Sequence, residues 1–109
     1  MKRVIYAGSE FVTGDEIASA LLVCSQALAE AGEAQTVSVP SREADGSVGT
    51  VMVLIGPASQ IVAMDAHGDG EELLDAAAVA RLDAIARSLR PIAGIDPDIP
   101  DQTDWDSEV

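Results

Sequence analysis

Asp65, His67 and Asp69 alternate in the stretch Asp65-Ala66-His67-Gly68-Asp69-Gly70, the densest polar cluster of the chain. Acids two residues apart in a glycine-containing loop can converge on one divalent cation. The spacing matches the first half of a calcium-binding loop, where carboxylates alternate and a glycine makes the sharp bend. The second half departs from that pattern. His67 occupies a position that calls for oxygen, and Ala76 stands where the closing bidentate Glu belongs. Glu71, Glu72 or Asp75 would have to replace it in another geometry. Asp65, His67 and Asp69 are thus the candidate metal ligands, and a divalent cation is the one cofactor the residues suggest. The plainer reading is a polar turn in which Gly68 and Gly70 permit the bend and Asp69 caps the following helix.

His67 is the chain's one histidine and can exchange a proton near neutral pH. A histidine base works with a nucleophile or a second group, and no Ser or Cys is paired with it in the local sequence. Cys24, the single cysteine, falls in the apolar stripe of a helix, away from any helix end that would favour its thiolate. No glycine pattern forms a phosphate loop, and no paired Cys or His has metal spacing. No catalytic set is therefore expected.

The C-terminal stretch carries another kind of signal. Ile95, Ile99 and Trp105 are separated by Asp and Pro, and residues 91–109 hold six acids and no base. Apolar anchors in an acidic extended segment can dock on a partner protein or along the chain's own domain. These three are the candidate partner-binding residues.

Charge bounds the partners. Across 109 residues, six Lys and Arg face 19 Asp and Glu, a net charge of −13. Nucleic acid and anionic membrane are polyanions that need Lys and Arg, so neither is expected as a direct partner. A basic protein is. Residues 1–64 carry seven acids and three bases, net −4, and residues 65–109 carry twelve acids and three bases, net −9. Residues 47–64 are uncharged for 18 positions, but Gly56-Pro57 breaks the run, and two strands explain it better than a membrane span. The apolar stretch after Lys2 and Arg3 is too short for a signal peptide. One cysteine permits no internal disulfide, which together with the missing leader leads to the expectation of a cytoplasmic protein. Abundant Ala, with five Arg against one Lys, suggests a bacterial source.

The elements that would position these residues follow from periodicity. Residues 3–7 and 10–12 read as a short hairpin. Thr13-Gly14-Asp15-Glu16 fits a capping box, with the Thr13 hydroxyl accepting an orphan amide and Glu16 reaching back. Ile17, Ala20, Leu21, Cys24, Leu28 and Ala31 recur at helical spacing, and Gly32 is placed to end the helix. Residues 34–39 alternate as a strand closed by Pro40, followed by a polar loop to Ser47. Val48 to Ile55 is apolar on both faces and predicts a strand buried on both sides. Residues 60–65 predict a further strand, and these three consecutive strands predict a meander. Glu71 to Arg90 predicts a second helix with Leu74, Ala78, Leu82, Ile85 and Leu89 as its stripe.

The expectation is an α/β chain of the α+β kind. Residues 1–92 form one domain, a mainly antiparallel sheet of four or five strands in the order β-(β)-α-β-β-β-α under two amphipathic helices. Residues 93–109 form an acidic extended tail. The favoured function is a non-enzymatic interaction module (adaptor, regulator or immunity-like protein) for a basic partner. The alternatives are a divalent-metal protein or small metal-dependent enzyme using Asp65, His67 and Asp69, and a homo-oligomeric structural protein.

Overall fold

A computed structural model describes residues 1–67 and 70–89. Ile95, Ile99 and Trp105 lie outside the described residues, as does Asp69. The elements are β1 (Lys2–Tyr6), β2 (Ser9–Thr13), α1 (Asp15–Ala31), β3 (Gln35–Arg42), β4 (Val48–Ile55), β5 (Ile61–Asp65) and α2 (Ala76–Leu89). The five strands form one sheet in the order β4-β3-β2-β1-β5, every pairing antiparallel. With two helices this is a small α+β domain, as the hydrophobic periodicity predicts.

β1 and β2 make a tight hairpin in which Tyr6 faces Ser9. Both turn residues are left-handed, Ala7 at φ 53° and Gly8 at φ 81°. That is the signature of a type I′ turn, whose twist matches the strands it joins. β3 and β4 pair over eight residues, from Gln35 with Ile55 to Arg42 with Val48. The two hairpins meet narrowly, through the single register pair Val12 and Arg42.

One sheet face carries the core. Val4, Val37, Val39, Val53 and Ile55 are buried there against Ile17, Leu21, Cys24 and Leu28 of α1 and Leu82 of α2. Each large aliphatic side chain removed from water in this way contributes about 1.5–3 kcal/mol. The two helices also pack on each other, with Ala18 and Ala20 of α1 and Ala78 and Ala86 of α2 buried. Small side chains allow that close approach. Gly32 takes the left-handed conformation at φ 69°, and the amides of Gly32 and Glu33 close back on Ala29 and Leu28. This Schellman arrangement ends α1 where the sequence predicts.

Several expectations are corrected. β4 is an edge strand, and only Val53 and Ile55 of it are buried. Its continuous apolar run marks two apolar faces, one of them uncovered. β5 pairs with β1 and not with β4, so the predicted meander stops at the β3–β4 hairpin. β3 runs through Pro40 to Arg42. The Pro40 carbonyl points to the β2 side, where it accepts the Thr13 hydroxyl. The missing amide of Pro40 therefore faces the side on which β2 has already ended, and no ladder bond is lost. α2 begins at Ala76, five residues later than expected, because Asp75 caps it: the amide of Ala78 donates to Asp75 Oδ1 at 3.0 Å. Leu74, assigned to the helical stripe, is 70% exposed in the preceding segment. The capping box does not form either. Gly14 is the N-cap and makes no side-chain cap bond, and the Asp15 amide donates to Glu72 instead.

Candidate interaction surfaces

Three described acids of the 65–75 stretch, Asp65, Glu72 and Asp75, are engaged within the fold. Asp65 ends β5 opposite Lys2 of β1, and the two side chains form an ion pair. The Lys2 ammonium holds the Asp65 carboxyl below the usual carboxylate range. Glu72 bridges the amide of Asp15 and the amino group of Met1, with Oε1 2.9 Å from the latter. The Asp15 amide first, and the Met1 ammonium second, hold the Glu72 carboxyl low. Asp75 is occupied at the start of α2. His67 is exposed two residues beyond Asp65. Among the described residues no three His, Cys, Asp or Glu side chains gather around one point.

A cleft of about 700 Å³ opens beside the junction of the two hairpins, lined among others by Phe11, Val12, Val51, Ser41, Arg42 and His67. Ser41 and His67 both line it, a grouping the sequence conceals because they are 26 positions apart and residues 41–47 read as a loop. Ser41 is 2% exposed, and its hydroxyl donates to Glu43 Oε2 at 3.3 Å. The Arg42 guanidinium donates to backbone carbonyls, Nη1 to Gly46 at 3.2 Å and Nη2 to Glu71 at 2.8 Å, while its buried Nε has no partner among the described residues. The cleft's polar groups thus serve mainly to tie the β3–β4 turn to the segment after β5.

Two other surfaces expose apolar side chains. The first is the sheet face opposite the helices. By register it presents Arg3 and Ile5 of β1, Glu10 and Val12 of β2, Thr36, Ser38, Pro40 and Arg42 of β3, Val48, Thr50, Met52 and Leu54 of β4, and Val62 and Met64 of β5. No described helix covers it. Met52 is 72% exposed, Leu54 59%, Val48 54%, Val62 52% and Met64 42%. Five of the seven large exposed apolar residues of the described chain lie on this one face. Sequence patterning reveals both faces of β4 as apolar but not which one is uncovered.

The second surface is a depression of about 380 Å³ between α1 and α2. Ala20, Val23 and Val79 contribute apolar lining, and Asp15, Glu16 and Asp83 contribute carboxylates. No base lines it. Val23 is 43% exposed within it. Helical spacing puts Glu16, Ser19, Ala20 and Val23 on one side of α1, so this half is legible in the sequence once the helix is assigned.

Cys24 sits in the core with no exposed surface, and burial pushes its thiol pKa up, as its place in the apolar stripe predicts. No helix among the described residues is long and apolar enough to cross a membrane. Comparison with family models, with curated proteins and with solved structures returns no match.

Proposed function

We propose that the chain is a non-enzymatic protein-interaction module that holds a basic amphipathic segment of a partner protein in the α1–α2 depression. The observation that carries this reading is the make-up of that surface: an apolar centre at Ala20, Val23 and Val79, three carboxylates around it and no base. A helix or extended segment with an apolar stripe and flanking Lys or Arg complements it. The net charge of −13 supports the same partner class, because it speeds encounter with a basic protein and gives an association that weakens with salt. Ile95, Ile99 and Trp105 are proposed as secondary anchors on the same partner. We place the module in the cytoplasm, where a lone thiol such as Cys24 stays reduced.

A photo-crosslinking residue at position 23, used in the source cell, tests the reading. The expected product is a crosslink to a protein whose linked segment is basic, lost in the Glu16→Lys/Asp83→Lys variant and weakened by salt. Crosslinking at position 23 no stronger than at exposed Ala29 would rule the depression out as the contact.

A further inference from the structure

The uncovered sheet face differs in charge from the rest of the molecule. Its fourteen residues hold two bases, Arg3 and Arg42, and one acid, Glu10, for a net charge of +1. The other 73 described residues hold three bases and 11 acids, net −8. Even the one acid is neutralised locally, since Arg3 Nε lies 3.8 Å from Glu10 Oε2. A basic partner is drawn to the other surfaces and gains nothing electrostatically here. An apolar patch of this kind on an acidic chain is a contact site, and its occupant must be apolar and must not bring a strong positive charge.

We propose that this occupant is a second copy of the chain, and that the two sheets pack face to face in a symmetric dimer. Two copies meeting here bury Val48, Met52, Leu54, Val62 and Met64 from each side and keep the acidic remainder of the described residues, net −8 per copy, out of the contact. A symmetric contact through the helix layer instead sets the carboxylates of Asp15, Glu16 and Asp83 against their own copies. Sheet-on-sheet packing of antiparallel strands is a standard way to bury such a face, and an isologous contact needs only one self-complementary patch. The area suffices for reversible association. Fourteen residues per copy, at the roughly 30–40 Å² that an interface residue covers, make about 800–1,100 Å² over both copies, the size of a weak dimer. The dimer uses a different surface from the α1–α2 depression, so either proposal can fail alone.

Sedimentation equilibrium of the full chain, at micromolar and at millimolar concentration, tests it. The expected mass rises with concentration toward twice 11.2 kDa. Added salt strengthens this association, because it screens the repulsion between two acidic chains and leaves the apolar contact intact. A basic-partner complex responds to salt in the opposite sense. Met52→Asp and Leu54→Asp each raise the dimer dissociation constant at least tenfold with an unchanged far-UV circular dichroism spectrum. Val23→Asp on the helix layer leaves the dissociation constant unchanged. A dimer that survives both sheet-face substitutions overturns the proposal. A chain that stays monomeric throughout also overturns it, and a red shift of Trp105 emission in Met52→Asp would then name the chain's own C-terminal segment as the occupant.

Discussion

The Thr13 hydroxyl donates to the Pro40 carbonyl across 2.7 Å, and this bond reinforces the narrow seam between the two hairpins. The seam has a single register pair, Val12 with Arg42, so few ladder bonds share its load. Thr13 is fully buried. Thr13→Val keeps the shape and removes the donor, which leaves a carbonyl without its partner. The expected loss is about 1–3 kcal/mol. Thr13→Ser keeps the donor and loses one methyl group, at about 1 kcal/mol. Urea unfolding of both variants beside the parent checks this; a Thr13→Val protein with the parent's midpoint would show that the hydroxyl contributes nothing.

Gly14 is required by contact and not by conformation. Its φ of −71° suits any residue, but a Cβ there would lie 1.9 Å from the Leu73 carbonyl oxygen. The 72–73 segment lies that close because Glu72 caps α1 from outside. Gly14→Ala must push the segment away and strip the cap as well. A loss of about 2–4 kcal/mol is expected, the sum of an overpacking term and a lost cap. Amide exchange of Asp15 should rise in the same variant. A Gly14→Ala protein as stable as the parent would show that the segment yields without resistance.

Ala7 is the one non-glycine residue at positive φ among the described residues. The first position of a type I′ turn favours Asn, Asp or Gly, and a Cβ-bearing Ala there costs about 1 kcal/mol. Ala7→Asn creates the Asn-Gly pair this turn prefers. Thermal unfolding should show a gain of about 0.5–1 kcal/mol, with no change in the strand register on either side. A destabilised Ala7→Asn would mean that the Ala7 methyl group makes a contact worth more than the strain.

These elements also show what a linear reading reaches. α1 was legible because its stripe, its Gly32 stop and its first-turn acids all agree. β4 misled because Val51-Met52-Val53-Leu54-Ile55 carries no alternation, and a strand apolar on both faces reads as central whether or not both are covered. The β5–β1 pairing joins residues about 60 apart, and nothing local marks it. The true cap of α1 is Glu72, from the far end of the chain, and no i to i+3 pattern can announce that. Asp75 had a local signal as a cap, overridden by Leu74, whose spacing extended the helical stripe backwards by coincidence. Of the candidate metal ligands, Asp65 is engaged by a lysine 63 positions away, a pairing that no local pattern announces.

Cys24 should be inert in the folded chain. It has no exposed surface, and burial raises its thiol pKa, so both access and thiolate fraction are low. Reaction with a thiol reagent under native conditions should follow opening of the α1–sheet core and accelerate with denaturant. Rapid stoichiometric labelling of the native protein would contradict the packing described.

The cluster of Met1, Asp15 and Glu72 makes stability depend on pH from two directions. The Met1 amino group lies 2.9 Å from Asp15 Oδ1 and 2.9 Å from Glu72 Oε1. Asp15 first and Glu72 second raise the Met1 pKa, while the Asp15 amide and the Met1 ammonium lower that of Glu72. A carboxyl lowered in the folded state adds stability that is full above its unfolded value, about 4.3, and is lost as pH falls through the folded value. An ammonium raised in the folded state adds stability that is full below its unfolded value, about 7.7–8.0, and is lost as pH rises through the folded value. The cluster therefore contributes most between about pH 5 and 8. Asp65, lowered by Lys2, adds to the acid side in the same sense, so the wild-type profile alone does not isolate Glu72. The difference between wild type and Glu72→Gln does. Urea midpoints measured across pH should converge for the two proteins at low pH and separate above it. Acetylation of the Met1 amino group should remove its share of the alkaline decline, leaving those of Cys24 and Lys2, and leave the acid decline, reduced. Superimposable profiles for wild type and Glu72→Gln would show that the cap carries no pH-dependent stability.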